Sequence, residues 1–322
     1  VFRCPNSCLV WGRRSPALLE LVHEHQADIV GLQEVDLAGD GCHADQLFKD
    51  FAGRGYTGVS EKKRGRAFDG VALFWRGERL EPVGVHDVWK LGQGVHIALA
   101  QRLRLDARHD ILVVVTHLKA GLNVEAEEAR VRQMEKIEQR LKQAQMPSLV
   151  LADLNAHCRP AFGEGGALVA PEVYRRLEGA GFRSAYQEVA GAEPLYTCWC
   201  GWRGYDVAGV FDYVLCYGSS IVPRRVLDLP PVDEVLRHAD RLPNASFPSD
   251  HFPMVVDVSL LPPRRQLRGG GPARSGDRKE PSGDGGVQLA AQCGIAFAAQ
   301  TAVDASGASA SQPPAQCDDA PT

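Results

Sequence analysis

The chain contains no run of about 18 or more apolar residues, so a membrane-spanning helix is excluded. It has no disulfide framework either. Its 9 Cys are an odd number scattered along 322 residues, which argues against a secreted, cross-linked scaffold and for reduced thiols inside a cell. Neither Cys4–Cys8 nor Cys198–Cys200 has the partner spacing of a structural zinc site. A large positive field is missing as well. The net charge is −4 and the isoelectric point about 6.2, so any polyanion must be held by a local site. There is no G-x-S-x-G turn and no Walker loop, which leaves serine-nucleophile hydrolysis and P-loop chemistry without a carrier. No charged-then-apolar leader and no Arg- and Ser-rich transit segment is visible. Val1 is not a start residue, so the N-terminus is expected further upstream, and the thiols point to an intracellular, cytoplasmic setting.

What is present is ordinary globular material: 44% hydrophobic and 24% charged residues, enough for one large core. Composition breaks after Leu261. From residue 262 to 322 Gly, Ala, Ser, Pro and Gln dominate without strand or helix periodicity, and stretches such as Gly269-Gly270-Gly271 cannot bury enough apolar surface to offset chain entropy. The expectation is one domain over residues 1–261 and a disordered low-complexity tail over 262–322, where only Val287 to Ala299 could hold a weak helix.

Within the domain, Ser15-Pro16 reads as an N-cap with Pro at the first helical position, opening a helix through Leu18, Leu19, Leu21 and Val22. Asp28 to Leu32, Val71 to Trp75, Ile111 to Val115, Ser148 to Ala152, Phe211 to Leu215 and Met254 to Leu260 read as strands, and Ile97, Leu99, Leu103 and Leu105 share one strand face. A long helix carries Val131, Met134, Ile137 and Leu141 along one stripe. Several neighbouring strands lack a crossover helix and must pair antiparallel. That favours a two-sheet α/β sandwich with helices outside over a parallel sheet.

The informative polar residues stand where these strands end: Glu34, His117, Asp153 with Asn155, Asp212, and Asp250 with His251. Strand ends hold side chains rigidly and can aim several of them at one point. Oxygen and imidazole donors without Cys suit Mg²⁺, with Mn²⁺ as the alternative. Taken singly, each has a plainer account as a turn carboxylate, a capping Asx residue or a hydrogen-bonded core histidine. They gain weight by occurring together, in order, at strand edges.

That order resembles the endonuclease/exonuclease/phosphatase superfamily. The resemblance rests on Gln33-Glu34-Val35-Asp36, Phe68-Asp69-Gly70, Thr116-His117-Leu118-Lys119-Ala120, Ala152-Asp153-Leu154-Asn155-Ala156, Phe211-Asp212-Tyr213 and Pro248-Ser249-Asp250-His251-Phe252-Pro253. Arg3-Cys4-Pro5 ahead of Trp11, the Thr-His-Leu-Lys-Ala string and Arg241-Leu242-Pro243 look like its nocturnin and CCR4-type deadenylase branch. The resemblance spans residues 1 to about 260 and implies a DNase I-like sandwich. It implies Glu34 and Asp250 as metal ligands, Asp153 as the residue that orients or deprotonates water, and His251 at the phosphoryl centre with Asp212 fixing its tautomer. His117 would stabilise a phosphate oxygen, Asn155 would hold the phosphate, and Asp69, Lys119 and Arg203 would lie on the substrate side.

The implied activity is Mg²⁺-dependent hydrolysis of nucleotide phosphate esters. A 3′–5′ exoribonuclease or poly(A) deadenylase acting on a single-stranded RNA 3′ end comes first, and an NADP(H) 2′-phosphatase acting on a small nucleotide second. A 2′,5′-phosphodiesterase and a catalytically impaired member that only binds phosphate or a partner protein stand behind them. Two departures bear on this choice. The family's first strand, with its Asn, is not found upstream of Cys4, and Asn6 is no substitute, so the domain is expected to lack that strand and to expose a sheet edge. Gly121 follows Lys119-Ala120 where the nocturnin-like branch has an Arg, which removes a bidentate phosphate clamp. Of the other features, Lys62-Lys63-Arg64-Gly65-Arg66 reads as a solvated loop or a phosphate contact. Trp199 and Trp202 read as packing residues before stacking platforms. His23 and His25 read as a helix C-terminal pair, and Glu125, Glu127 and Glu128 as a solvated first helical turn.

Overall fold

The apolar runs resolve into two sheets packed face to face with helices on both outer faces. The computed structural model describes residues 2–38, 42–163, 166–261 and 287–296. The first sheet has 6 strands in the order β15 (Ile221–Val226), β16 (Met254–Leu260), β17 (Val287–Ala296), β1 (Ile29–Asp36), β3 (Asp69–Arg76) and β2 (Tyr56–Lys62). The second runs β11 (Phe182–Ser184), β14 (Asp212–Tyr217), β8 (Ser148–Asp153), β7 (His109–His117), β6 (Ile97–Asp106) and β4 (Glu81–Pro82), with β5 (Asp87–Lys90) also paired to β6. Two hairpins stand apart, β9 (Ala161–Phe162) with β10 (Leu168–Val169) and β12 (Cys198–Trp202) with β13 (Tyr205–Gly209).

Val113, Val115, Leu149, Leu151 and Val214 of the second sheet share a buried core with Ile29, Leu73, Val256 and Val258 of the first. Their neighbours in sequence point outward and are covered too. Helix α1 (Trp11–His25) and α2 (His43–Ala52) cover Val30, Leu32 and Phe74. Helix α3 (Val124–Ala144) and α4 (Glu172–Ala180) cover Val114, Val150 and Leu215. Sheets covered on both faces read as continuous apolar runs, which is why β7 and β8 were legible. The β7–β8 pair is parallel, as its crossover α3 requires. That helix starts where the Asn123 side chain accepts the Ala126 N–H at 2.8 Å, an ordinary N-cap. No helix among the described residues is long and apolar enough to cross a membrane.

Two features differ from expectation. Helix α1 begins at Trp11 and carries Pro16 inside it, instead of opening at Ser15-Pro16. Pro16 forfeits one backbone bond, while the first turn is held from outside: Trp11 stacks on His43 at 4.4 Å, and Arg14 Nε donates to Pro248 O at 2.7 Å. The second is β17. Its ten residues, expected within a disordered tail, pair antiparallel with β16 and parallel with β1. Unpaired β1 and β16 edges in mid-sheet would be costly, and β17 satisfies both. The rest of the tail, residues 262–286 and 297–322, lies outside the described residues.

Candidate active site

Strand ends from both sheets converge at one end of the sandwich. His117 closes β7 and pairs in register with Asp153, which closes β8. Asp212 opens β14 and pairs with Asp153 from the other side. Glu34 comes from the first sheet, near the end of β1. There the pairing with β3 shifts register between Leu32 and Val35, and Glu34 takes a left-handed backbone with φ 54°. A bulge re-aims a side chain, and a non-glycine residue at positive φ costs about 1–3 kcal/mol that surrounding contacts must offset. Asn155 is also left-handed, at φ 50°, a conformation Asn tolerates. Its N–H donates to Asp153 Oδ1 at 2.8 Å, and its amide donates to Leu118 O at 3.2 Å.

The two histidines are in opposite states. His117 is 5% exposed, and its Nδ1 lies 3.1 Å from Lys63 Nζ. An ammonium only donates, so Nδ1 accepts and the ring proton is on Nε2. That Nε2–H faces Asp153 Oδ2 at 3.7 Å and Glu34 Oε1 at 3.9 Å. Burial, then the Lys63 cation, hold the His117 pKa well below the usual imidazole range. His251 Nδ1 donates to Asp212 Oδ2 at 2.7 Å. Burial opposes its charge, but Asp212, with Asp250 and Asp153 behind it, outweighs burial and holds His251 well above the usual range. Thr197 fixes the acceptor: its hydroxyl donates to Asp212 Oδ2 at 2.6 Å and accepts the Phe211 and Asp212 N–H groups at 2.9 and 3.1 Å.

The carboxylates are crowded. Burial and then Asp250 push Glu34 up to about 7, although 36% of its side chain is open to the cleft. Burial and then Asp212 push Asp153 up to about 8. Asp212 Oδ1 is buried without a hydrogen-bond partner among the described residues. Ligand atoms of Asp153, Asp212 and His251 lie within 4.8 Å of one another. Glu34 and Asp250, the ligands the resemblance implies, lie outside that group, and Asp250 Oδ2 accepts from Cys200 Sγ at 3.2 Å. Anions that raise each other's pKa beside an orphaned oxygen fit a hard divalent cation.

The structure also brings in side chains that the sequence reading set aside. Lys63 is buried, not in a solvated loop, and bonds Asp69 Oδ2 at 2.5 Å besides facing His117. Its neighbour Lys62 folds back onto the carbonyls of Ala67 and Gly65 at 2.8 and 3.1 Å. Glu127 is buried, not solvated: its carboxylate accepts from Arg130 Nη2 at 2.7 Å and from Val173 N at 2.9 Å. Arg130 in turn donates to the carbonyls of Lys119 and Gly121 at 2.8 and 2.7 Å, shaping the loop whose Lys119 side chain is exposed. Arg14, buried on α1, anchors the loop that carries Asp250 and His251 through Pro248. Its signal was a charge on the apolar stripe that continues through Leu18 and Val22. Thr197 gave none. Arg203 stands exposed where β12 turns into β13, and no described contact joins it to the cluster. Trp202 stacks on Phe2 at 4.4 Å and Trp199 meets Tyr196 edge-on at 5.1 Å, so both are packing residues.

Comparison with known proteins bears on the family and the fold. Nocturnin of Drosophila melanogaster is 27% identical over 290 residues, covering 81% of this chain and 44% of that protein. Human nocturnin is 27% identical over 283 residues, covering 80% of this chain and 60% of that one. The chain thus spans about half the length of these relatives. The solved human nocturnin catalytic domain with bound sulfate anion superposes with a TM-score of 0.60 at 27% identity, over 78% of this chain and 88% of that one. ANGEL2, a 2′,3′-cyclic phosphatase solved with adenosine-2′,3′-vanadate, shares the fold at a TM-score of 0.64 and 16% identity, over 81% of this chain and 90% of that one. The model of the Endonuclease/Exonuclease/phosphatase family matches residues 8–251, and the chain belongs to that family, in its nocturnin-like branch.

Proposed function

We propose that this chain hydrolyses a phosphate ester of a nucleotide with the help of a divalent cation, Mg²⁺ first and Mn²⁺ as the alternative. The observation that carries the reading is the geometry around the Asp153–Asp212 pair: His117 Nδ1 accepts from Lys63 Nζ on one side, and His251 Nδ1 donates to Asp212 Oδ2 on the other. A ring that presents its Nε2–H and a ring held against a carboxylate offer a neutral donor and a positive group to phosphoryl oxygens. Glu34 and Asp250 would hold the cation, with Asp153 and Asp212 near it. When bound, it would neutralise phosphoryl oxygens and lower the pKa of the attacking water. Asp153 orients that water. His251, kept charged by Asp212, faces the phosphoryl centre as a fixed positive group, and the His117 Nε2–H and the Asn155 amide donate to the other phosphoryl oxygens. Lys63, Asp69 and Lys119 lie on the substrate side.

A small nucleotide, with the 2′-phosphate of NADP(H) as the instance, is the substrate reading favoured over an RNA 3′ end. What supports it is the use of the basic run. Lys63 turns into the site, Lys62 onto backbone carbonyls, and Arg64 onto Gly92 and Gly94 carbonyls at 3.3 Å. Three of the four basic side chains of that run are thus turned away from a phosphate backbone, and only Arg66 of the run stands exposed without a described contact. The test is hydrolysis of NADP⁺ and of 5′-labelled poly(A) RNA with Mg²⁺, with EDTA, and with Glu34→Ala and His251→Ala. Phosphate release from NADP⁺ with RNA intact is the expected result. Stepwise RNA shortening moves the substrate to the deadenylase arm, and inactivity on both leaves a phosphate- or partner-binding member.

A further inference from the structure

The groove between β1 and β16 is bridged by one strand. β17 pairs with β16 from Met254↔Cys293 to Leu260↔Val287 and with β1 from Ile29↔Ala291 to Gln33↔Ala296. Neighbouring strands lie about 4.8 Å apart, so β1 and β16, separated by a whole strand, cannot bond each other in this arrangement. Ile29, Val30 and Leu32 on one side and Val256 and Val258 on the other are fully buried. An empty groove would therefore leave two rows of backbone donors and acceptors unpaired in apolar surroundings, a costly arrangement for every buried group.

The groove has fittings for a strand beyond its two ladders. Asp28, 3% exposed, donates its N–H to Ala290 O at 2.8 Å and accepts the Ala290 N–H on its carboxylate at 2.9 Å. Arg79 bonds that carboxylate at 2.6 Å and Gln288 O at 2.8 Å. Leu289 enters the core between the sheets. A buried carboxylate that reads a backbone N–H recognises extended chain with little regard for side chain, the chemistry of strand addition. Residues 262–286 separate β17 from β16, far more than the roughly 2–5 residues of an ordinary hairpin loop. A connection of that length raises local concentration without dictating the strand's position. At its far end β17 stops against Gln33, the residue before Glu34.

We propose that the groove between β1 and β16 is a strand-binding site for an extended peptide, filled in cis by residues 287–296, and that its filling sets Glu34 in place. The proposal goes beyond the phosphoesterase reading. The test uses the full chain with a specific protease site inserted after Gly270. Once cut, the C-terminal piece is expected to stay associated in native mass spectrometry. An excess of synthetic peptide of residues 287–296 is expected to displace it, while the same peptide with Ala290→Pro, which lacks the N–H that Asp28 accepts, competes at least 10-fold less well. Amide exchange at Val30 to Gln33 should stay slow while either strand is bound and speed up at least 100-fold when neither is, with hydrolysis falling in step. A piece that leaves while those amides stay protected overturns the proposal. So does a piece that no excess of peptide displaces, a Pro peptide that competes equally, or hydrolysis unchanged with the groove empty. Mass and exchange need no substrate, so their failure is separable from failure of the phosphoesterase reading.

Discussion

At the end of the sandwich away from Glu34, a cleft of about 980 Å³ is lined by Arg79, Arg102, Arg104, Asp106 and Asp110, among others. Its charges are matched to one another. Asp110 accepts from Arg102 Nε at 2.9 Å and from Arg104 Nε at 3.1 Å. Burial works against the Asp110 charge, yet the two guanidiniums outweigh it and hold the carboxyl below its usual range. The Arg108 N–H, and then the His109 ring, do the same for Asp106. At the other end the directions reverse: Glu34 and Asp153 face like charges and rise to about 7 and about 8. Both ends are charged. The difference is that the carboxylates of one end are paired with cations and N–H groups of the fold, while those of the other are buried beside one another, the pattern of a functional site.

The largest effect expected from breaking this asymmetry is at His251. His251→Ala removes the positive group that Asp212 maintains and should lower kcat by about 10²–10³, the range for loss of one preorganised donor to developing charge. Asp110→Ala at the opposite end should leave kcat unchanged. Equal losses in the two variants would sink the assignment of ends. Next comes Arg130, fully buried against Glu127. Arg130→Met leaves that carboxylate unpaired and should cost about 3–5 kcal/mol in urea unfolding. Glu127→Gln with Arg130→Met should recover part of it, and no recovery would mean the pair is not coupled as the geometry indicates.

Lys63 sharpens the comparison at smaller scale. Lys63→Met removes the donor to His117 Nδ1 and the partner of Asp69, so hydrolysis should fall about 10–100-fold, as for loss of one charged hydrogen bond. A drop no larger than that of Lys62→Met would return Lys63 to the role of a loop residue. At the matched end, Asp110→Ala should cost about 1 kcal/mol or less, because Arg102 and Arg104 are 46% and 42% exposed and their pairing is screened. A loss of several kcal/mol there would show that the cleft is more than a surface of paired charge.

How far the sequence went follows from where each signal lives. Glu34, His117, Asp153 and Asp212 were legible because a polar residue ending a long apolar run is conspicuous, and both sheets are covered on both faces. Lys63 was not, because composition cannot say which residue of a basic run turns inward; only its exit from β2, beside Asp69, decides that. Glu127 looked like a helix-dipole residue because its true partner, Val173 N, is supplied by α4. β17 was the least legible. Its Ala, Gln and Gly content has little intrinsic strand preference, and it is stabilised by edges that β1 and β16 provide from far along the chain.

The smallest predicted effect concerns pH. His157 lies beside Phe211 at 4.7 Å, and a Cβ on Gly209 would fall 2.1 Å from its ring. Burial first, and then the Arg130 cation, lower its pKa below the ordinary imidazole value of 6.5. The unfolded chain therefore takes up a proton near 6.5 that the folded chain refuses. The stability His157 contributes is complete above that pH and is lost as pH falls through it toward the lower folded value. The slope cannot exceed about 1.4 kcal/mol per pH unit for one group. Glu34, Asp153 and His251, whose folded values are raised, act in the opposite direction over the same range, so the readout is the difference between the two proteins: from pH 7.5 to 5 the urea midpoint of the unsubstituted chain should fall relative to that of His157→Gln. A difference that does not change with pH would remove His157 as an acid-sensitive position and leave His96 and His117, both of which burial holds low, moving that position from the α3 side of the second sheet to the active-site end.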